Sequence, residues 1–159
     1  MIVIGLEGPI ASGKGIVAQI LKQKGYSFYS LSDVLKIEVQ RRGLDVTRNN
    51  CHVVSNDLRG TLGADILARQ TAEIIDRDNP DYVVIDAIRN PAEIEFLRQK
   101  YNAYIIGVVA DQERRYEFFA KRGLYSSEIQ NFEQFKELDD KEMSQEGSHK
   151  QQITASLEM

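Results

Sequence analysis

The sequence predicts an α/β fold, a three-layer sandwich in which a mostly parallel sheet is wrapped by helices. Four short apolar runs, at residues 1–6, 26–29, 82–85 and 103–110, alternate with helix-like segments. The runs at 2–4 and 82–85 are continuous and rich in β-branched residues, which is typical of strands buried on both faces. Strands that alternate with helices usually form a parallel sheet.

The helix-like segments follow the apolar runs, and several of them end at glycines. They lie at about 14–24, 33–42, 49–62, 64–77, 91–100 and 112–121. Gly25, Gly43, Gly63 and Gly123 mark four of the ends, because glycine readily takes the left-handed backbone that closes a helix. Further along, residues 139–150 are polar and predict a mobile loop or a solvated helix, whereas 152–157 predict one short helix.

Length and composition predict one domain in the cytoplasm. The chain has 159 residues, a formal net charge of −4 and a single cysteine, Cys51. The negative charge argues against a broad nucleic-acid-binding face, and one cysteine allows no intrachain disulfide. No segment is apolar over the length of a bilayer and the N-terminus has no basic region, so we expect neither a membrane span nor a secretion signal.

Residues 8–15 read Gly-Pro-Ile-Ala-Ser-Gly-Lys-Gly and lie between the first predicted strand and the first predicted helix. A strand, the pattern Gly-x-x-x-x-Gly-Lys and a helix, in this order, are the layout of a phosphate-binding P-loop. The glycines let backbone N–H groups converge on phosphate oxygens, the helix adds its positive end, and the lysine carries a mobile charge. The predicted nucleotide contacts in this loop are Gly8, Ala11, Ser12, Gly13, Lys14, Gly15 and Ile16.

The loop departs from the usual pattern where a serine or threonine would bind Mg²⁺. Gly15 and Ile16 stand there, so no hydroxyl at these positions can coordinate the ion. Either the ion is held through water and a carboxylate elsewhere, or catalysis is weak or absent. A dinucleotide-binding loop with Asp33 as the ribose ligand is less well supported, because the pattern G-x-G-x-x-G is missing and a lysine would have no role there.

Two candidate catalytic residues follow the third apolar run: Asp86, and Arg89 three residues later. Ligands of parallel sheets gather at the carboxyl ends of the strands. We expect Asp86 to hold the water shell of Mg²⁺, with a helix N-cap or loop acid as the alternative. We expect Arg89 to bind a phosphate, with an exposed ion pair to Glu93 or Glu95 as the alternative.

Further charged residues lie at the start of the second predicted helix and along the predicted helix at 112–121. Asp33, or Ser32 beside it, could cap the helix or contact the phosphate acceptor, and Asp33 could serve a hydroxyl acceptor as general base. Lys36 lies one turn later and either adds charge to an acceptor phosphate or is solvated. Arg115 and Arg122 are two turns apart and could close over ATP as a lid, or form a solvated face with weak ion pairs.

These motifs resemble the P-loop nucleoside monophosphate kinases, including adenylate-kinase-like and dephospho-CoA-kinase-like enzymes, over most of the chain. Gly8-x-x-x-x-Gly13-Lys14-Gly15 is similar to the adenylate kinase loop, and residues 82–91 are similar to the family's third strand with its magnesium-organising Asp and phosphate-binding Arg. Residues 33–36, Asp-Val-Leu-Lys, resemble the family's Asp-hydrophobic-Leu-Arg segment, and 111–122 resemble its lid helix. Similar domains occur alone or fused to deoxycytidylate-deaminase-like domains.

The resemblance implies ATP and Mg²⁺ as cofactors and a nucleoside or deoxynucleoside monophosphate as the small-molecule substrate. It further implies one kinase-like domain over 1–159, with an acceptor-binding insertion at about 31–80 and a lid and mobile region at about 112–150. Family members carry a final strand after their last helix, so we expect that strand to be missing here and a fused or partner domain to follow Met159. Both histidines, His52 and His149, are interpreted as ordinary residues. Five arginines of the insertion are each interpreted as surface charges: Arg41, Arg42, Arg48, Arg59 and Arg69.

Two alternatives stay open from the sequence. Phosphoryl transfer to a hydroxyl group, as in a dephospho-CoA-kinase-like enzyme, would require Asp33 as the base. A non-catalytic nucleotide-binding domain that regulates a deaminase-type protein would fit the missing hydroxyl at Gly15 and Ile16 and the early end at Met159.

Overall fold

A computed structural model describes residues 1–123, 129–143 and 153–159. Its strands are β1 (Ile2–Glu7), β2 (Ser27–Ser30), β3 (Tyr82–Ile88) and β4 (Tyr104–Gly107). The helices within the described residues are α1 (Lys14–Gln23), α2 (Leu31–Arg41), α3 (Arg48–Leu62), α4 (Ile66–Asp78), α5 (Pro91–Tyr101), α6 (Gln112–Lys121), α7 (Phe132–Met143) and α8 (Ile153–Leu157). None of these helices combines the length and the apolar character that crossing a bilayer requires.

The sheet is parallel throughout, with the strand order β2–β3–β1–β4. In the central pair, Val3 lies opposite Val83 and Glu7 lies opposite Ile88. The predicted parallel sheet is therefore confirmed. This order also brings the carboxyl ends of β1 and β3 side by side, which is where ligands of such sheets bind.

Helices cover both faces of the sheet, because alternate residues of the central strands point to opposite sides. Val3 and Val83 join a large buried core with side chains from α2, α3, α4 and α5. Leu6 and Val84 pack on the other face against Ala18 of α1. Each aliphatic side chain that is fully removed from water contributes about 1.5–3 kcal/mol, so both faces favour the three-layer arrangement that the sequence predicts.

The third strand is longer than predicted, because it runs on to Ile88. Asp86 pairs with Ser30 of β2, and Ile88 pairs with Glu7 of β1 after a register shift in β1. The expectation that Asp86 follows the strand, or caps a helix, is therefore wrong, since Asp86 itself pairs with β2 and β1 continues its pairing past it to Ile88. β2 begins and ends one residue later than predicted, and β4 is shorter than the apolar run at 103–110.

The second helix begins at Leu31, so Ser30 holds the N-cap position. The prediction that Ser32 or Asp33 caps this helix is therefore wrong. The hydroxyl groups of Ser30 and Ser32 instead lie 2.9 Å apart within the first turn.

The α7 helix corrects the expectation for the polar stretch at 139–150. It spans Phe132–Met143, and its residue Asp139 is only 2% exposed. Phe135 is fully buried beside Phe119 of α6, and this cluster packs against Ile10. Residues 139–143 therefore belong to a packed helix, and 144–150 lie outside the described residues. The spacing of Phe132, Phe135 and Leu138 by three positions is the helical signal in the sequence.

Candidate functional site

The loop between β1 and α1 is built from residues with left-handed backbone. The φ angle is 146° at Gly8, 57° at Ala11 and 106° at Gly13. A Cβ atom on Gly8 would lie 2.1 Å from the carbonyl oxygen of Val108, so only glycine fits there. The N–H of Val108 donates to the carbonyl of Glu7 at 2.7 Å, which holds the loop's first residues against the chain after β4.

The first helix leads directly out of this loop, with Gly13 at its N-cap and Lys14 as its first residue. No side chain caps this end of the helix, and its first turn has no acidic residue. The amide groups and the positive end of the helix dipole therefore face the loop without an acidic side chain from the helix's own first turn as counter-charge. Such an end favours an anion, and phosphate is the ligand that most often takes it.

Lys14 folds back over the loop. Its Nζ donates to the carbonyl oxygens of Gly8 at 2.6 Å and Pro9 at 2.8 Å. Burial first, and then the guanidinium of Arg89, lower the pKa of Lys14 from 10.5 to about 8, whereas Asp86 opposes this effect. The structure therefore brings Asp86, Arg89 and the lid candidate Arg115 within electrostatic reach of Lys14.

Asp86 lies on β3, two residues before the strand ends, and is half-buried. Its Oδ1 is buried and has no hydrogen-bond partner among the described residues. An unpaired buried carboxylate oxygen costs free energy unless a ligand or water satisfies it. Asp86 thus has a free acceptor atom near Lys14 of the loop at 8–15.

Arg89 is positioned through its backbone by Glu93. Glu93 Oε2 accepts from the N–H groups of Arg89 at 2.8 Å and Asn90 at 3.2 Å, and Asn90 caps α5. Glu93 Oε1 accepts from Arg59 Nη2 at 2.8 Å, in an ion pair whose side chains are 0% and 1% exposed. The turn that presents Arg89 is therefore tied to a buried charge pair.

A cavity of about 650 Å³ opens beside the loop and the end of β3. This volume is within the usual range for small-molecule sites. Its apolar wall includes Ile10, Leu31, Leu35, Leu67, Ala87 and Leu138. Its polar wall includes Ser32, Lys36, Arg48, Asn49, His52, Ser55, Arg59, Arg89 and Glu142. The combination of an apolar wall with a few cations suits a ligand that has a flat apolar part and an anionic group.

Two curated relatives of this chain show its family. A UPF0200 protein of Methanothrix thermoacetophila is 33% identical over 124 residues, which are 77% of this chain and 67% of that protein. A UPF0200 protein of Methanosarcina acetivorans is 31% identical over 146 residues, 91% of this chain and 78% of that protein. The chain belongs to the UPF0200 family. No protein-family model matches it.

Solved structures show the fold of this UPF0200 chain. TT1252 from Thermus thermophilus aligns with a TM-score of 0.61 at 19% identity, over 88% of this chain and 78% of that one. A candidate kinase from Chloroflexus aurantiacus aligns with a TM-score of 0.51 at 17% identity, over 79% and 70%. At such identities the likeness concerns the fold alone. It confirms the predicted α/β fold, in which helices wrap a parallel sheet.

The two lid candidates of the UPF0200 chain lie in different surroundings. Arg115 is 5% exposed; it pairs with Asp139 of α7 at 2.5 Å and donates to the carbonyl of Ile10 at 3.2 Å. It therefore does not belong to a solvated helix face. Arg122 follows α6, is exposed, and does not line the cavity.

Asp33 pairs with Lys36 at the edge of the candidate site. The two side chains form an ion pair of 2.8 Å, with 59% of Asp33 and 49% of Lys36 exposed. Lys36 lines the cavity, whereas Asp33 does not. The structure thus brings together Lys14, Asp86 and Arg89 but leaves Asp33 outside.

The sequence does not predict that three charged residues near the site are buried. Arg59, interpreted there as a surface charge, is 3% exposed, so that interpretation is wrong. Its partner Glu93 stands three residues after the N-cap Asn90, and this capping-box spacing is a recognisable signal. Glu7 is fully buried at the end of β1, and no local pattern in the sequence indicates that this carboxyl group is buried.

Proposed function

We propose that this protein transfers the γ-phosphoryl group of ATP to the phosphate of a nucleoside or deoxynucleoside monophosphate. The observation that carries the proposal is the convergence of Lys14, Asp86 and Arg89 next to a cavity of about 650 Å³. ATP binds the loop at 8–15, and the acceptor binds in the cavity. The phosphate-binding loop layout and the P-loop kinase fold support this assignment.

Each residue of the site has a defined part in this reaction. The loop amides and the start of α1 bind the ATP phosphates, and Lys14 exchanges its contacts with Gly8 and Pro9 for a phosphate oxygen. Arg89 binds the acceptor phosphate, for which a guanidinium is well shaped. Most of the rate in phosphoryl transfer comes from positioning and charge stabilisation, and a phosphate acceptor needs no strong general base.

The residues present also fit Mg²⁺ held through water. The unpartnered Oδ1 of Asp86 can accept a hydrogen bond from a water of the ion's shell. When bound, the ion neutralises charge on the transferred phosphate. A Cβ on Gly15 would meet nothing within 4 Å, so Gly15→Ser should fit and add the missing hydroxyl. We expect this variant to bind ATP more tightly in Mg²⁺ but not in EDTA, with Gly15→Ala as the control.

The direct test is ADP release from ATP with each nucleoside monophosphate in turn and with dephospho-CoA. We expect Lys14→Ala to lower turnover by about 10²–10³-fold, as for loss of a charge-stabilising donor. Lys24→Ala removes the same charge from the exposed end of the same helix and should have little effect. Arg89→Ala should lower transfer while ATP affinity stays within about threefold, because it contacts the acceptor. Equal loss of ATP binding and transfer would contradict the role of Arg89.

A second candidate function is nucleotide binding without turnover, in which the domain regulates a catalytic partner. It is favoured by the absence of a hydroxyl at Gly15 and Ile16. Tight ATP binding together with no ADP release for any acceptor would select it. Transfer to a hydroxyl acceptor has less support, because Asp33, the base it needs, lies outside the cavity.

A further inference from the structure

Glu142 of α7 enters the cavity and meets two arginines that come from separate elements. It contacts Arg48, the first residue of α3, and its Oε2 lies 3.6 Å from Nη1 of Arg89. Its side chain is only 11% exposed. Glu142 also acts electrostatically on Lys14, whose pKa it tends to raise. The carboxylate of Glu142 thus acts on three cations: Arg48, Arg89 and Lys14.

The carboxylate of Glu142 contacts Arg89 only at long range. At 3.6 Å its contact with Arg89 is longer than a hydrogen bond, and its Oε2 is buried without a hydrogen-bond partner among the described residues. A carboxylate carries one negative charge and two oxygens. A phosphate monoester carries up to two charges and three terminal oxygens, and guanidinium groups match its geometry with paired hydrogen bonds. The site therefore suits a phosphate monoester better than it suits its own carboxylate.

We propose that Arg48 and Arg89 together bind the phosphate of a phosphate monoester, and that Glu142 is the carboxylate that this ligand must displace. The inference deepens the proposed function and rests on it for the assignment of the cavity to the acceptor. It adds Arg48 as a second phosphate ligand. It also means that the Glu142 side chain of α7 must move when the acceptor binds, because Glu142 occupies the place of the phosphate.

The test uses the full chain without ATP and measures the binding of inorganic phosphate and of AMP by titration calorimetry. Glu142→Gln keeps the shape of the side chain but removes the competing charge. We expect about tenfold tighter binding of both ligands, because the phosphate no longer has to displace a carboxylate from the two arginines. Arg48→Gln should weaken binding of both by about tenfold. Unchanged or weaker binding in Glu142→Gln, or unchanged binding in Arg48→Gln, overturns the proposal.

Glu137→Gln is the matched control, because Glu137 lies on the same helix and lines the same cavity but makes no ion pair within the described part of the chain. If Glu137→Gln tightens binding as much as Glu142→Gln does, the effect is one of overall charge and the specific role of Glu142 is refuted.

The unmodified protein offers a second measurement that does not depend on the folding of a variant. Cys51 is the sole cysteine, lines the cavity and lies one helical turn after Arg48. AMP should slow alkylation of its thiol, and Arg48→Gln should reduce that protection. If phosphate binding responds to Glu142→Gln and Arg48→Gln as expected but no ADP is released, the inference holds and the proposed kinase activity is refuted. ADP release with a KM for AMP that is insensitive to Arg48 and Glu142 would do the opposite.

Discussion

Replacing Glu93 by Gln should destabilise the protein strongly, although the two side chains have almost the same shape. Glu93 Oε1 accepts from Arg59 Nε at 3.2 Å and Nη2 at 2.8 Å. Its Oε2 accepts from the N–H groups of Arg89 and Asn90. Glutamine carries no charge, and an amide nitrogen in place of Oε2 cannot accept from either N–H group.

The size of the effect follows from burial. Arg59 and Glu93 are 1% and 0% exposed in their side chains, so loss of the carboxylate charge leaves the guanidinium buried and uncompensated. Breaking such a pair costs about 3–5 kcal/mol. Buried N–H groups left without an acceptor cost about 1–3 kcal/mol each, although these terms overlap. We therefore expect a loss of about 4 kcal/mol, a large part of the 5–15 kcal/mol typical of a domain.

Urea unfolding followed by circular dichroism measures this loss. Glu95→Gln is the matched control, because it is the same substitution at an exposed position of the same helix and should stay within about 0.5 kcal/mol of the unmodified protein. Combining Glu93→Gln with Arg59→Met should cost less than the sum of the single changes, since the orphaned charge is removed. A loss below about 1 kcal/mol for Glu93→Gln, or strict additivity in the double variant, would refute the argument.

Three further predictions concern the loop and its neighbour Glu7. Burial raises the pKa of Glu7 from 4.5 to about 7, so the folded state binds more protons than the unfolded state between these values and stability falls as pH rises through them. The stabilisation of the protein by Glu7→Gln, measured by thermal unfolding, should therefore be about 2–3 kcal/mol larger at pH 8 than at pH 5. Glu73→Gln, at an exposed position, should show no such difference between the two pH values. Because the pKa of Lys14 is lowered to about 8, ATP binding at pH 8 should take up about half a proton as Lys14 becomes fully charged; calorimetry in buffers of different ionisation enthalpy would show no uptake if Lys14 stays away from phosphate. Gly8→Ala should unfold the loop and abolish ATP binding, since its Cβ meets a carbonyl oxygen at 2.1 Å, whereas Gly15→Ala, with open space around its Cβ, should retain binding; equal effects of the two changes on ATP affinity would contradict this.

Local patterns account for the parts of the fold that the sequence predicts well. The P-loop can be recognised because its glycines, its lysine and the two flanking elements lie within about twenty residues, and their chemistry needs that spacing. The strands β1 and β3 are visible because burial on both faces requires a continuous apolar run. The end of β3 is not visible in this way, because pairing of Asp86 with Ser30 depends on a neighbouring strand.

The site itself is predictable only in part. Lys14, Asp86 and Arg89 can be placed together from the sequence, since the carboxyl ends of parallel strands share one edge of the sheet. The exclusion of Asp33 from the cavity follows from the start of α2 at Leu31, and the sequence alone places that start two residues later.

The sequence by itself determined the strand–helix alternation, the P-loop motif at 8–15, and the placing of Asp86 and Arg89 at the end of the third strand, because each depends on neighbours in the chain. Only the tertiary structure decided which charges meet: Arg48 with Glu142 across 94 positions, Arg59 with Glu93 across 34, and Arg115 with Asp139 across 24. A charged side chain looks the same in the sequence whether it is solvated or buried. Its role depends on the counter-charge that packing brings to it, and packing is a property of the whole fold.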